Sequence, residues 1–275
     1  MSLRDVRFAF GPEPGSYILG APGLFRMRGI SAAMRALSDG VNNVKRLHWA
    51  AVGDNNRVVC YYTNSGGTWI EASPQFKYSH QTSYAFVKSR DRLGLLKNST
   101  VTIGPRDAIV VCIPDNDDVW MDNVDPDIEA EILEFIKFRY LRQVALGVDG
   151  AYVMLSTRGA PTWNLRGKYP QLDRILGSPE TQAKRVRYLA LNPWRAGEFF
   201  LVLNDGTIHW QLDFGILHQV HAILTEYEAS IENSGPASGL VDDRPRHSLS
   251  PDLQRALTES IERAFTRSLE RAFIR

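Results

Sequence analysis

An acidic stretch over residues 115–127 contains the side chains best placed to do hydrolytic or metal chemistry. Asp115 and Asp117 supply carboxylates at alternate positions, as the loop of a calcium site does. The turn glycine that such a loop needs does not follow, and Trp120 interrupts the run. Carboxylates also favour the positive end of a helix dipole, so a hairpin turn followed by a helix start explains the same residues. A hydrolase with an acidic site near residues 115–127 is therefore one hypothesis, and no metal site is predicted.

The histidines and cysteines give weaker signals for chemistry. His218 and His221 are three residues apart, which places them on one face of a helix, but no third metal ligand can be named. Cys60 and Cys112 lie in apolar runs and are interpreted as small buried residues rather than nucleophiles. No phosphate loop, nucleophile elbow or paired-cysteine motif is present. The sequence therefore predicts no catalytic residue and no cofactor, and an enzyme is the less favoured interpretation.

Four tryptophans at similar spacing are the other candidate binding residues. Together with Phe25 they form a series of five aromatic anchors separated by 44, 51, 43 and 47 residues. Aromatic faces stack on apolar sugar surfaces, so these rings could line carbohydrate pockets, whereas repeated aromatic anchors more often pack in a core. Both alternatives stay open at this stage. The candidate binding residues are Trp69, Trp120, Trp163, Trp210, Asp115 and Asp117.

The elements that carry these residues recur five times along the chain. Each unit has two apolar runs joined by a turn with Gly, Pro or Asn, then a third run that ends near the aromatic anchor. The clearest unit spans residues 186–213, where Asn204, Asp205 and Gly206 form a tight hairpin turn. A helix follows most units, and the one after the third unit is predicted to begin at Asp125 and Pro126, an N-cap and a first-turn proline.

One of the predicted connections, the second, differs from this pattern. After the first unit, residues 30–37 have a helical pattern that Gly40 ends. After the second unit, residues 73–97 form a longer polar connection in which a helix is not favoured, and long connections in repeat arrays often supply a binding face.

A repeat of about 40–50 residues indicates a propeller, a solenoid or a similar array. Three short strands and a helix cannot bury both of their faces alone, so neighbouring units must stack. The predicted fold is mainly β with helices, built as five βββα repeats in a propeller-like closed array over residues 1–228. A β-barrel of hairpins with outer helices is the alternative.

The units resemble repeats in uncharacterised fungal proteins with propeller-like arrays. The resemblance is carried by residues 145–153 with Trp163, and by residues 201–210. It covers about residues 5–228 and implies an architecture only, since that group has no established activity to transfer. The Gly-His and Trp-Asp dipeptides of WD40 repeats are missing.

The composition changes after residue 228. Residues 229–250 are rich in Ser, Gly, Pro and charged residues, which predicts a flexible linker. Residues 251–275 have an apolar residue every four positions, which predicts an amphipathic helix. Such a helix packs on its own domain, pairs with another copy or binds another protein, so assembly through this helix is a further functional alternative. Its nearly balanced charge argues against a membrane surface.

Charge and composition narrow the partners. The 32 Lys and Arg residues nearly balance the 31 Asp and Glu residues, so the net charge of +1 predicts no nucleic-acid binding. Two cysteines exclude a disulfide framework, and neither a signal peptide nor a membrane span is recognisable, so a cytoplasmic location is predicted. The favoured function is a non-enzymatic recognition module that binds a protein or a carbohydrate on one face of the repeat array.

Overall fold

The computed structural model describes residues 2–30, 44–55 and 57–233. Over these residues the protein is mainly β, and its strands form five separate three-stranded antiparallel sheets. Each sheet uses three consecutive strands, with the second strand in the middle. The five repeat units of the sequence therefore correspond to five hairpin-built sheets, numbered 1 to 5 in chain order.

The strands are short in every sheet. Sheet 1 contains β1 (Arg7–Phe10), β2 (Tyr17–Ala21) and β3 (Leu24–Arg28), and sheet 2 contains β4 (Arg46–Val52), β5 (Val58–Asn64) and β6 (Gly67–Ala72). Sheet 3 contains β7 (Thr100–Ile103), β8 (Ile109–Ile113) and β9 (Asp118–Asp122). Sheet 4 contains β10 (Leu141–Leu146), β11 (Tyr152–Ser156) and β12 (Thr162–Asn164), and sheet 5 contains β13 (Val186–Leu191), β14 (Phe199–Leu203) and β15 (Ile208–Gln211).

Helices follow sheets 2 to 5. They are α1 (Pro74–Ser79), α2 (Gln81–Asp91), α3 (Pro126–Ile136), α4 (Pro170–Gly177), α5 (Pro179–Lys184) and α6 (Phe214–Asn233). The start of α3 confirms the predicted cap, because the side chain of Asp125 accepts a hydrogen bond from the backbone N–H of Asp127. By contrast, α1 and α2 occupy the connection in which no helix was favoured, and Ser73 caps α1 through the N–H of Phe76.

The separation of the five sheets contradicts the predicted fold class. Backbone ladders pair strands only within each sheet, and over the described residues no sheet closes into a propeller or a barrel. The closed propeller-like array of βββα repeats and the alternative barrel of hairpins are therefore both wrong. The repeat spacing predicts the hairpins, but it does not predict which groups form hydrogen bonds with the backbone at the free edge of each sheet.

Side chains connect the sheets where ladders do not. The first strands β1, β4, β7, β10 and β13 lie beside the first strands of neighbouring sheets. Gln143 of β10 donates from Nε2 to the carbonyl of Leu189 in β13 at 2.7 Å, and its Oε1 accepts from the Leu189 N–H at 3.2 Å. The Tyr188 hydroxyl donates to the carbonyl of Phe8 in β1. These bonds satisfy edge groups that would otherwise be buried without partners.

The middle strands contain the most buried part of the fold. Every residue of β2, β8, β11 and β14 is buried. Their sequences are nearly continuous apolar runs, as expected for strands covered on both faces. The cores thus lie around the middle strands, whereas the edges of the first strands face the region where the sheets meet.

Helix α6 connects the two ends of the described chain. Ile216 and Val220 pack into one core with Phe8 of sheet 1 and Phe200 of sheet 5. The Tyr227 hydroxyl donates to the carbonyl of Pro22 at 3.0 Å. The last helix therefore holds sheet 5 against sheet 1 by apolar contacts and hydrogen bonds.

Several predicted features fall at or beyond the limits of the described residues. Helix α6 continues to Asn233, past the domain boundary predicted at residue 228. The rest of the predicted linker, the amphipathic helix over residues 251–275 and all but the first residue of the helix predicted over residues 30–37 lie outside the described residues. In the part that is described, no helix has both the length and the apolar character needed to cross a membrane.

Candidate functional site

A cavity of about 320 Å³ lies where the first strands of all five sheets meet. Each of β1, β4, β7, β10 and β13 contributes to its lining, together with the segment that precedes β7. The cavity therefore combines residues of all five sheets with a concave polar surface. We call it the cationic cavity, after five side chains of its lining: Arg7, Arg46, Lys97, Arg142 and Arg187.

β-Bulges position three of the basic side chains in this cavity. The ladder of β4 skips His48, that of β10 skips Arg142, and that of β13 skips Arg187. A bulged residue is left out of the pairing, which bends the strand and re-aims its side chain. Arg7 is the first residue of β1 and lines the same cavity without a bulge. Four sheets therefore each present a basic residue from the same end of the first strand.

The cavity has more positive than negative charge. Its five cationic side chains face two carboxylates, Asp5 and Asp115. Asp5 lies 3.5 Å from Nη2 of Arg46, and Asp115 accepts a hydrogen bond of 2.9 Å from Nδ2 of Asn98. Asp5 is thus paired with Arg46 and Asp115 is bonded to Asn98, and neither carboxylate forms an ion pair with the remaining arginines of the lining.

The inner arginines are Arg7, Arg142 and Arg187, and each of them is half-buried. Within the described segments, no carboxylate lies close enough to any of the three to form an ion pair. The partners of Arg142 and Arg7 are neutral. Nη2 of Arg142 donates to the carbonyl of Val186 at 2.6 Å, and Nη1 of Arg7 donates to the carbonyl of Val6 at 2.9 Å. The Arg7 guanidinium also lies 5.2 Å from the centre of the Tyr188 ring. A buried charge without a counter-charge is unfavourable, so this arrangement favours an anion.

Arg142 shows the shortage of partners most directly. Its Nε is buried and has no hydrogen-bond partner among the described residues. Burial, reinforced by the like charges of Arg187 and Arg7, lowers the pKa of Arg142 to about 10. Burial likewise lowers the pKa of Arg7 to about 10. Both groups still carry a full positive charge at neutral pH.

The positive charges around the cationic cavity also affect the pKa of His48. Its Nε2 lies 2.9 Å from the Thr63 hydroxyl oxygen, so the ring is held in place. Burial, together with the positive charges of Arg46, Lys97 and Arg7, lowers the pKa of His48 to about 4. His48 is therefore neutral at pH 7 and adds no further charge to the cavity.

A narrow cavity of about 40 Å³ shares Gln143 and Tyr188 with the cationic cavity. Small side chains such as Ala51 and Ala145 line it. Its volume is enough for a few water molecules but not for an organic ring. A ligand must therefore stay in the polar cavity, in contact with the arginines.

The structure does not bring the predicted tryptophans together. Trp69, Trp120, Trp163 and Trp210 lie on the third strands of four different sheets, and none of them lines the cationic cavity. Each is therefore separated from the others by at least one sheet boundary. A carbohydrate site shared by these rings has no counterpart in the described structure, although a separate role for each ring stays a prediction.

The four indoles also differ in their surroundings. Trp210 is buried and stacks on Phe200 with ring centres 5.9 Å apart, so it belongs to the core. Trp69 is 51% exposed, which leaves most of its ring open to solvent. The other two are half-buried, and their Nε1 atoms donate to side chains of nearby helices: Trp120 to Ser83 at 3.2 Å and Trp163 to Asp173 at 2.8 Å.

The acidic stretch is likewise divided among separate places. Asp115 lines the cationic cavity, whereas Asp117 borders a different depression beside Phe138 and Tyr140. Asp118 forms an ion pair with Arg90 at 2.7 Å. Over the described residues, no group of three or more His, Cys, Asp and Glu side chains is arranged to hold a metal ion. A hydrolase built on this stretch stays a prediction without a clustered site to support it.

The sequence contained a signal for the cationic cavity that composition concealed. In four of the five repeats, a basic residue occurs near the start of the first apolar run: Arg7, Arg46, Arg142 and Arg187. A net charge of +1 over the whole chain says nothing about such a local cluster. The bulges that aim two of these side chains inward are not visible in the residue pattern.

No family model, no curated protein and no solved structure matches this chain. The resemblance to fungal propeller-like repeat proteins is therefore untested, and the function has to be argued from the cavity itself.

Proposed function

We propose that the protein is a non-enzymatic recognition module whose cationic cavity binds an anionic ligand. The observation that carries the proposal is the set of three half-buried arginines, Arg7, Arg142 and Arg187, which have no carboxylate partner among the described residues. Guanidinium groups form short, charge-assisted hydrogen bonds to carboxylate and phosphate oxygens. An anion in the cavity would supply the missing counter-charge.

The energetics favour a role in binding over a role in stability. Partial burial of a charge that has no counter-charge is unfavourable, so three half-buried arginines without carboxylate partners oppose the stability of the fold unless a ligand compensates them. Polar sites that oppose stability in this way are typical of functional sites. The volume of about 320 Å³ is at the low end for ligand pockets and fits a small molecule or the acidic tip of a larger one.

This proposal narrows the ligand classes expected from the sequence. A protein or a carbohydrate fits the cavity through an anionic group, such as a carboxylate or a phosphate ester. The exposed ring of Trp69 lies on a third strand and is not needed for this binding mode. Assembly through residues 251–275 stays a separate prediction.

A cytoplasmic location is part of the same proposal. Cys60 and Cys112 are both free and buried, and burial raises the pKa of the Cys112 thiol to about 12. Two unpaired structural thiols agree with a reducing compartment, where small phosphorylated or carboxylated metabolites are the available anions.

Thermal unfolding in different sodium salts would test the proposal. At constant ionic strength, we expect phosphate and citrate to raise the Tm of the wild type in a saturable manner, because a ligand that binds only the folded state stabilises it. The double variant Arg142→Gln/Arg187→Gln should lose this response, while Arg174→Gln, which removes an exposed charge on α4, should keep it.

The comparison between variants separates binding from the general effect of these salts, which stabilise most proteins by exclusion from the surface. If the wild type and the double variant respond equally, the cationic cavity does not bind anions and the proposed function is wrong. Circular dichroism of each variant before heating establishes that all of them start from the same fold.

A further inference from the structure

We infer that the ligand of the cationic cavity is a small polyhydroxylated molecule that carries two phosphate groups, of the class of sugar and cyclitol bisphosphates. This inference rests on the proposed function and specifies its ligand. It follows from three features of the lining: an inner group of arginines, an outer pair of cations and neutral polar side chains beside them.

The inner group fits a phosphate better than a carboxylate. Arg7, Arg142 and Arg187 come from sheets 1, 4 and 5, so their side chains enter one cavity from different strands. A carboxylate is planar, carries one charge and is saturated by about one bidentate guanidinium. A phosphate ester carries a charge of about −1.5 to −2 at pH 7 and has three terminal oxygens. Only the second anion can compensate most of the inner charge and accept bonds from several directions.

The outer pair supplies a second anionic subsite. Arg46 and Lys97 are exposed at the rim, on β4 and on the segment before β7. Asp5 offsets part of the charge of Arg46 at a distance of 3.5 Å, whereas Lys97 has no ion-pair partner in the described segments. A ligand whose single phosphate lies against the inner arginines would leave Lys97 without a contact. A second phosphate group on the same molecule reaches it.

The neutral lining indicates what joins the two phosphates. Asn98 and Thr100 donate to Asp115 and to the carbonyl of Arg142, and their side-chain oxygens, like that of Thr157, can accept hydrogen bonds from the hydroxyls of a sugar or a cyclitol. An aromatic base would need a stacking surface, but the buried Tyr188 ring already contacts Arg7. The imidazole of His48 similarly lies 5.2 Å from the ring of Tyr61. The connecting part of the ligand is therefore polyhydroxylated and not a nucleobase.

Isothermal titration calorimetry of the full chain would test this inference with fructose 1,6-bisphosphate, fructose 6-phosphate, fructose, pyrophosphate and citrate. The bisphosphate should bind at least tenfold more tightly than the monophosphate, since a second charge-assisted contact of about 1.4 kcal/mol corresponds to that factor. Fructose alone should show no binding, because it offers no counter-charge to the arginines. Pyrophosphate and citrate should bind more weakly than the bisphosphate.

Variants assign the two subsites. Lys97→Gln should weaken the bisphosphate about fivefold to tenfold and leave the monophosphate unchanged, because Lys97 contacts only the second phosphate. Arg187→Gln should weaken both ligands, and Arg174→Gln should weaken neither. Lys97 is exposed, so its replacement is not expected to disturb folding.

The possible failures are distinguishable. Equal affinity for the bisphosphate and the monophosphate would remove the second subsite, and citrate binding as tightly as the bisphosphate would show that charge alone is recognised. Pyrophosphate binding as tightly as the sugar bisphosphate would show that the protein does not recognise the hydroxyl groups of the sugar. Each of these results overturns the bisphosphate inference and leaves anion binding in place, whereas failure of every anion to bind overturns both.

Discussion

Arg142 serves the fold and the candidate site with different atoms of one side chain. Its Nη2 donates to the carbonyl of Val186 and thereby links sheet 4 to sheet 5. Its Nε is buried without a partner among the described residues, and the residue lines the cationic cavity. The protein therefore holds the Arg142 side chain in position while leaving part of its hydrogen-bonding capacity unused. That combination is what distinguishes a preorganised binding group from a surface arginine.

His48 provides a prediction that depends on pH. Its pKa in the folded protein is about 4, below the ordinary value of 6.5, so the unfolded chain binds the proton more readily between these two values. The contribution of His48 to stability is constant above pH 6.5 and becomes less favourable as the pH falls towards 4. Solvent screens the half-buried ring and reduces this effect. We therefore expect the contribution of His48 to the free energy of unfolding to fall by about 1 kcal/mol between pH 7.5 and pH 5.

Urea unfolding of the wild type and His48→Gln at pH 7.5 and pH 5 measures this contribution. The advantage of the wild type over the variant should shrink at pH 5. His80 and His209 also have pKa values lowered by burial, but they are present in both proteins and their effects cancel in the difference. A difference that stays constant between the two pH values would contradict the assignment to His48.

Residue patterns could not reveal the cationic cavity, for a physical reason that His48 and Arg187 illustrate. In a regular strand, side chains alternate between faces, so the sequence position determines the direction of each side chain. A bulge breaks this alternation by one residue, and nothing in the runs around His48 or Arg187 signals it. The basic residues can be recognised in the sequence, but their convergence on one cavity cannot be predicted from it.

At the scale of elements, side chains form hydrogen bonds with the backbone groups at the unpaired edges of the first strands. An exposed strand edge presents backbone donors and acceptors that invite pairing with another chain. Here the amide of Gln143 both donates to and accepts from Leu189, as the backbone of a neighbouring strand would do. The Thr102 hydroxyl similarly donates to the carbonyl of Val144. Neighbouring sheets are thus joined without a shared ladder.

Replacement of Gln143 by leucine tests this substitute for backbone pairing. Gln143→Leu replaces the amide with an apolar side chain of similar size and leaves the buried N–H and carbonyl of Leu189 without these partners. We expect a loss of about 2 kcal/mol in the free energy of unfolding, since each unsatisfied buried group is unfavourable by about 1–3 kcal/mol. Urea denaturation measures the change.

The matched control is Gln182→Leu, the same substitution at an exposed position of α5. It should change the free energy of unfolding by less than about 0.5 kcal/mol. Stability of Gln143→Leu within that same range of the wild type would show that the side-chain link between sheets 4 and 5 contributes little.

The elements themselves were predictable to different degrees. The cap formed by Asp125 and Pro126 was recognised, and α3 begins there. Ser73 and Pro74 form an equivalent start for α1, but the segment that follows is mostly polar, so its helical periodicity was weak. Buried Phe76 and Val87 show that a few tertiary contacts, rather than a continuous apolar stripe, hold this helix pair. Such contacts are decided by the rest of the fold and not by the local sequence.

At the scale of the whole molecule, α6 couples the two ends of the described chain. Its apolar side chains share one core with sheets 1 and 5, and those sheets contribute Arg7 and Arg187 to the cationic cavity. No residue of this helix lines the cationic cavity. Its packing therefore sets the relative position of two cavity residues that are far apart in sequence.

Weakening this contact should loosen both sheets together. Val220→Ala removes two methyl groups from a fully buried position, and we expect a loss of about 2 kcal/mol in the free energy of unfolding. In hydrogen-exchange mass spectrometry, the amides of β2 and β14 should exchange faster, whereas those of β8 in sheet 3 should change less. Thr225→Ala, an exposed position on the same helix, is the control. Faster exchange confined to α6 itself would argue against the coupling.

The arrangement of the sheets was the least predictable level. Five units of similar spacing were evident from the aromatic anchors, and the prediction of a closed array followed from the need of each unit to cover its apolar face. The structure meets that need by packing sheets through side chains and by α6, without a ladder that closes. The sequence pattern cannot distinguish these solutions, because both bury the same residues.

The three bulges separate ligand preference from folding. His48, Arg142 and Arg187 each belong to a different sheet, and none of the three takes part in the strand pairing around it. A protein engineer could exchange His48 or Arg187 for an acidic or a neutral residue and keep every ladder intact. The same backbone would then bind ligands of different charge. Duplicated copies of such a gene could diverge in ligand specificity through a few substitutions.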